Sequence, residues 1–263
     1  MLNKKLTQLL SMLFALLGCY VSANELTLNA DEQAYLQSHP VITMCVDPDW
    51  LPYEKLDSQG QHIGLVAEYM ALLQSRLNVT FKVIKTKSWD ESQKLYQKGS
   101  CDIVSALNKT AEREQYLTFT PVYIKSPAVL VLNEKNIQDS QLVDLKGKKL
   151  AMVKGYVYDS RLREQYPEIN VVYEENMATA LKKVSSGKFD ATLGPLFLIF
   201  ALTQELGLDN LKVMGDAEYQ DELRIGIKKG NTILSSILGM AVATITPEDN
   251  ANIRKIWAEK RKK

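Results

Sequence analysis

The apolar positions of this chain change period several times, and each change marks an element. Residues 41–46 (VITMCV) form a continuous β-branched run and predict a buried strand. Leu65, Tyr69, Leu72, Leu73 and Leu77 recur at the spacing of one helix face. Residues 79–85 (VTFKVIK) alternate and predict a second strand. Ser88-Trp89-Asp90-Glu91 has the spacing of a capping box, so a helix opens there and runs to Gly99. Residues 101–107 (CDIVSAL) predict a third strand. Residues 26–39 read as a short helix stopped by Pro40, and 47–64, rich in Pro, Asp and Gly, as a loop.

The alternation then repeats. Strands are predicted at the start of 148–155 and in 169–174 and 189–194, with helices over 158–166 and 177–186, the second ended by Gly187. Residues 223–230 (LRIGIKKG) predict a further strand, and two helices follow it. The last opens at Thr246-Pro247-Glu248, a cap with proline in the first turn. A β-α-β order of this kind predicts parallel sheets covered by helices. It yields two α/β halves, about 41–130 and 140–220, with 129–136 and 223–230 as the crossovers between them. Halves joined in this way face each other across a cleft, where small ligands bind.

Composition adds little to this picture but excludes some classes. With 263 residues, 46% of them hydrophobic and 24% charged, the chain can bury one large or two small cores. A net charge of +1 leaves no basic footprint for nucleic acid or an anionic membrane. The first residues stand apart. Lys4 and Lys5 precede the apolar run Leu9–Gly18, and Val21-Ser22-Ala23 follows it, so residues 1–23 read as a secretory signal peptide. Leu16-Leu17-Gly18-Cys19 offers a competing reading as a lipobox, with Cys19 lipidated. Either reading places the chain outside the cytoplasm, in the periplasm. Cleavage after Ala23 leaves Cys45 and Cys101, which an oxidising compartment would join in a disulfide and which otherwise pack as buried thiols.

Candidate chemistry gathers beyond the carboxyl ends of the predicted strands, where ligands of open α/β sheets collect. Arg113 follows strand 101–107 across the polar turn Asn108-Lys109-Thr110, and its planar fork suits a carboxylate. Trp50 and Tyr53 follow the first strand and Trp89 the second, as surfaces on which a ligand stacks or as core plugs. Asp47 is placed to accept from a donor. Gly155 lies at the apex of a strand-to-helix turn whose N–H groups favour anions. Enzyme constellations are missing: His39 and His62 have no partner at metal-ligand spacing, and no G-x-S-x-G or G-x-G-x-x-G run occurs. The pairs Glu112 with Glu114 and Glu174 with Glu175 read as solvated faces. No catalytic set, metal or cofactor is therefore expected.

The strings VDPDWLPYE, GQHIGLVAEYM, GSCDIVSALNKTAEREQYLTFTPVY, LKGKKLAMVKGY, GKFDATLG and IRKIW, in this order, resemble the periplasmic solute-binding proteins of family 3, the amino-acid-binding type. The likeness covers about residues 40–260 and is closest to the Venus-flytrap subgroup also found as sensor domains ahead of bacterial histidine kinases. It implies an α/β, bilobed type II clamshell with mostly parallel sheets and two hinge crossovers. Lobe 1 would hold 24–130 plus 225–263, and lobe 2 would hold 133–222. It also implies a ligand site. The arginine of the family's T-x-E-R stretch falls on Arg113, and the residues before it on Ser105, Ala106 and Asn108. The aspartate and aromatic after the first strand fall on Asp47 and Trp50, and Tyr53 stands beside them. The apolar wall falls on Trp89, and the lobe 2 helix start on Gly155, Tyr156, Val157 and Tyr158.

The chain also departs from that pattern. Where the family carries an aspartate for the ligand ammonium, this chain has Pro195, preceded by Gly194. The usual hydroxyl on the lobe 2 turn is replaced by Val157, and the proline of F-S/T-x-P-Y has moved in FTPVY (119–123). A carboxylate grip is kept while the α-amino grip is lost, unless Asp47 replaces it. The resemblance thus implies a monomeric, non-enzymatic protein that binds a small carboxylate-bearing solute, an amino acid or related metabolite, and delivers it to an ABC permease or presents it to a membrane sensor kinase. Two alternatives remain: a cyclohexadienyl-dehydratase-like enzyme on the same fold, with Asp47 or Asp49 as its acid, and a ligand-free module that docks on a sensor kinase.

Overall fold

A computed structural model describes residues 26–136 and 141–260. Residues 1–23, expected to be a signal peptide, and Cys19, the expected lipobox cysteine, lie outside the described residues. The first helix, α1 (Ala30–Ser38), is closed at its start by a reciprocal cap: Glu32 N–H donates to Asn29 Oδ1 and Asn29 N–H to Glu32 Oε2. Strand β1 (Val41–Cys45) follows Pro40. Residues 47–64, expected as a loop, contain a small antiparallel sheet of β2 (Asp49–Trp50), β3 (Glu54–Leu56) and β4 (His62–Ile63). Strands of two or three residues are too short to show a period, which is why the pattern missed them.

That small sheet is locked to α2 (Leu65–Leu77), because Pro52 and Tyr53 carbonyls accept from Leu65 and Val66 N–H. Gly64 makes the junction possible. Its φ is +115°, and a Cβ there would lie 2.4 Å from the Tyr53 carbonyl oxygen. Helix α2 buries Val66, Tyr69, Met70, Leu73 and Leu77 and ends at Asn78 in the left-handed conformation. Then come β5 (Thr80–Val83), α3 (Trp89–Gln97), β6 (Ile103–Asn108), β7 (Leu117–Phe119) and β8 (Ile124–Asn133). The capping box at α3 is half formed. Ser88 accepts from Glu91 N–H, but the Glu91 carboxylate takes the N–H of Lys87.

The second half holds β9 (Lys149–Val153), α4 (Tyr158–Gln165), β10 (Asn170–Glu174), α5 (Met177–Ser185), β11 (Ala191–Pro195) and α6 (Leu196–Leu206). Strand β12 (Leu211–Lys228) and helices α7 (Thr232–Ala243) and α8 (Pro247–Lys260) complete the chain. One curled sheet runs β10-β9-β11-β8-β12-β6-β1-β5, with β7 also on β12. Its outer pairs, β1 with β5 and β6 and β9 with β10 and β11, are parallel as the alternation predicts. The joins made by β8 and β12 are antiparallel. The expected strand 223–230 falls on the end of β12, which stops at Lys228 before a turn at 229–230 and which first pairs with β8 and then turns to β6 and β7. Register shifts along β12 let it change neighbours. The result is a bilobed α/β clamshell whose two halves meet along β8 and β12.

The largest apolar cluster runs through both halves, from Met44, Leu73, Ile103 and Leu238 to Ala151, Leu181 and Ile199, and a second cluster with Leu132, Leu150, Leu162 and Leu193 lies within the second half. Asp249 ties α8 to α2 by accepting from Arg76 at 2.7 Å while also capping Thr246. Cys45, at the end of β1, and Cys101, ahead of β6, are joined in a disulfide with Cα atoms 5.8 Å apart. The bridge closes a sequence separation of 56 residues. Chain-entropy arguments give such a loop about 4 kcal/mol of stabilisation. Replacing both cysteines by alanine should lower the unfolding free energy by about 2–4 kcal/mol, read as an earlier urea midpoint, with reductant shifting the wild type but not the variant.

Candidate functional site

The cleft is assembled from the turns after β1, β5, β6 and β9, the end of β11 and one hinge strand. The first turn leaves β1 at Val46. Asp47 is 5% exposed. Its N–H donates to Glu54 Oε1 at 2.8 Å, and its Oδ1 accepts from Asp49 N–H at 3.0 Å. Burial pushes the Asp47 carboxyl up from 3.8 to about 8; nearby Glu54 adds to the rise and the Asp49 N–H opposes it. Trp50, two residues past Pro48, packs on Tyr53 with ring centroids 4.6 Å apart. Behind this turn Glu54 is fully buried. It takes the Ser105 hydroxyl at 2.6 Å and lies 2.9 Å from His62 Nε2. Glu54 therefore holds the Asp47 turn to β6 from behind.

A further turn leaves β6 at Asn108. Arg113 opens a short 3-10 turn (Arg113–Gln115) and is only 6% exposed. Its guanidinium donates twice to backbone: Nη1 to the Asn108 carbonyl at 2.8 Å and Nη2 to the Gly155 carbonyl at 2.9 Å. The second bond crosses the cleft to the turn after β9, where Gly155 has φ +83°. Tyr156 follows, its ring 6.2 Å from that of Trp50 and 6.3 Å from that of Tyr158.

The hinge strand contributes Asp221, which is 2% exposed. Its carboxylate accepts from Asn108 Nδ2 at 2.6 Å and from the Tyr158 hydroxyl, and Asn108 Oδ1 accepts from Glu222 N–H at 2.7 Å. Burial raises Asp221 from 3.8 to about 6, against the lowering effect of Tyr158, Asn108 and Arg113. One side chain on β12 is thus bonded to both halves of the clamshell at once.

Between these groups lies a cavity of about 30 Å³, room for one or two waters. Nine of the residues singled out from the sequence line it: Asp47, Trp50, Trp89, Ala106, Asn108, Arg113, Gly155, Tyr156 and Val157. Four do not. Tyr53 packs behind Trp50, Ser105 is fully buried against Glu54, and Tyr158 is spent on Asp221. Gly194 packs on Met177, whose Cε would lie 2.4 Å from a Cβ there. Leu107, Pro195 and Asp221 line the cavity without having been foreseen. Asp221 had a signal. It falls in phase with Leu223, Ile225 and Ile227 on an alternating strand, and that phase turns inward. Arg113, expected to be a free hand for an anion, is already bonded to two carbonyls. Asp49, the other acid considered, is exposed and paired with Lys55 at 3.0 Å.

The cavity therefore collects one guanidinium, two carboxyl groups held partly neutral by burial, and three aromatic rings. Among the described residues no cluster of His, Cys, Asp and Glu could hold a metal. None of the described helices is long and apolar enough to cross a membrane.

Comparison with known proteins fits this architecture. The virulence sensor protein BvgS of Bordetella bronchiseptica is 26% identical over 230 residues, 87% of this chain. The match covers only 19% of that sensor's length. ABC transporter arginine-binding protein 1 of Escherichia coli is 23% identical over 78% of this chain and 84% of its own. The crystal structure of the periplasmic VFT2 domain of Bordetella pertussis BvgS superposes with a TM-score of 0.79 at 24% identity, covering 88% of this chain and 99% of that domain. Residues 42–260 match the model of the bacterial extracellular solute-binding proteins, family 3, so the chain belongs to that family.

Proposed function

We propose that this chain is a periplasmic recognition unit that closes on a small zwitterionic solute of the amino-acid class. The observation that carries this reading is the meeting of Arg113 with Asp47 and Asp221 around one cavity framed by Trp50, Trp89 and Tyr156. A carboxylate would take the guanidinium donors that now meet Gly155, and an ammonium would lie between the two acids. Asp221 would then supply the counter-charge that Pro195 withholds. The cavity is too small for an amino acid as it stands, so binding requires the lobes, proposed as 24–130 plus 225–263 and 133–222, to part and reclose about β8 and β12. Likeness to sensor proteins and to an arginine-binding protein supports a membrane sensor or an ABC importer as the reader of that change.

A second reading has its own observation. Tyr156 lines the cavity beside Trp50, and a cavity of only about 30 Å³ suits a ligand-free docking module. An enzymatic reading rests on Asp47, a buried acid with its pKa raised to about 8, which is what acid-catalysed elimination needs. Turnover of prephenate or arogenate separates that reading from binding.

Calorimetric titration with amino acids, the matching keto acids and the matching amines decides among them. Amino acids should bind wild type more tightly than either analogue. Arg113→Ala and Asp221→Asn should each weaken them by about 10–100-fold, the cost of one charged hydrogen-bond partner. No heat with any member of the panel would sink the solute reading in favour of docking. The pH dependence is a separate test. An ammonium favours ionised Asp47, and the free carboxyl titrates near 8. Affinity should therefore rise from pH 6 to pH 8, by up to about tenfold per unit, and Asp47→Asn should flatten the profile.

A further inference from the structure

A second and larger cavity lies behind the hinge. It measures about 460 Å³ and is walled by α2, α8, the start of β8 and helix α6 of the other half. Volumes of this order hold small organic ligands, whose sites are mostly apolar with a few polar anchors. Tyr69 and Tyr123 form the floor, their rings edge to face at 5.2 Å. Phe197 and Phe200, one turn apart on α6, form one wall and Trp257 on α8 the other. Phe197 and Phe200 are 54% and 61% exposed. Helix α6 buries Leu198 and Ile199 but leaves this aromatic pair uncovered.

The charged groups of the lining all have one sign. Lys125 and Arg254 line the cavity and no carboxylate does. Lys125 has a distant partner in Glu222 at 3.7 Å. Arg254 pairs with no acid among the described residues; its neighbour is the Tyr69 hydroxyl, whose pKa burial raises while Arg254 lowers it. An aromatic box with one unneutralised guanidinium at its edge suits an anion with an apolar body.

We propose that this cavity is a second ligand site, distinct from the cleft, for a small aromatic monocarboxylate. The ring enters among Phe197, Phe200 and Trp257, and the carboxylate meets Arg254. The site is placed to act on the cleft. Tyr53 lines it, and Tyr53 packs on Trp50, which lines the cleft. Its walls also come from both halves, so an occupant between α6 and α8 acts on the angle between them.

The test is titration of the purified chain with phenylacetate, and with phenylacetamide and phenethylamine as its neutral and cationic counterparts. Phenylacetate should bind wild type at least about tenfold more tightly than the amide, as one charged hydrogen bond implies. Arg254→Gln should abolish that preference, and Phe200→Ala should weaken acid and amide together. Both positions are exposed, so the variants are expected to keep the wild-type melting temperature. Arg113→Ala should keep saturable phenylacetate binding and its preference over the amide, with only the modest affinity change that coupling between the halves transmits. The proposal is overturned if phenylacetate shows no binding at millimolar concentration. It is equally overturned if binding survives Arg254→Gln and Phe200→Ala unaltered, or is lost in Arg113→Ala, which moves the anion to the cleft. This test uses no amino-acid ligand, so its outcome is independent of the solute assigned to the cleft.

Discussion

A buried carboxylate cannot stay in a protein interior without donors aimed at it, and in this chain that requirement joins the two halves. Asp221 lies on the hinge strand. Its donors come from opposite sides: Asn108 at the end of β6 and Tyr158 at the start of α4. Asn108 also takes the N–H of Glu222, and its carbonyl receives Arg113. Arg113 in turn reaches across to Gly155. These bonds form a circuit from hinge to lobe to lobe and back to the hinge. Parting the lobes breaks at least the Arg113–Gly155 and Tyr158–Asp221 contacts, so the closed form carries its own latch. Asp221 in the circuit and Asp47 beside the cavity are held above their ordinary range by burial, which lowers the charge the cleft must tolerate.

This latch sets the terms on which anything enters. A ligand gains only what its contacts are worth beyond the bonds and packing it replaces. The Gly155 carbonyl already occupies part of the Arg113 fork, and Tyr156 already faces Trp50. If the closed, empty form dominates, measured affinity is reduced by the fraction of molecules open to binding.

The sequence carried the architecture better than the site. Strands packed within one half, such as β1 and β6, declare themselves through apolar runs, and α2 through its five-fold apolar face. Strand β12 does not. It changes partners and bulges along the way, so no single period describes its 18 residues. The small sheet before α2 was invisible because its strands hold two or three residues each. At the site, the turn after each strand was legible from position alone, which brought Asp47, Trp50, Trp89 and Arg113 together. Which face a turn residue presents was not legible. Tyr53 and Tyr158 are aromatic neighbours of lining residues, yet they turn away, one to α2 and one to Asp221. Asp221 was hidden in a charged run whose alternation becomes clear only once Leu223, Ile225 and Ile227 are known to point inward.

The same displacement explains how a site can keep its chemistry while losing a signature residue. Pro195 ends β11 and lines the cavity, so no carboxylate is available at that position. In the reading proposed above, β12, which lies beyond β8 from β11, would supply one instead, with Tyr158 and Asn108 bonded to it. A change in which strand carries the acid moves its charge toward the hinge. There it is bonded to both halves rather than to one. Under the proposed function, an acid in that place would respond to closure as well as to ligand, because its donors come from both halves. In such an arrangement occupancy and closure are coupled through one side chain, and the strength of that coupling depends on how Asp221 divides its hydrogen bonds between the ligand and the latch.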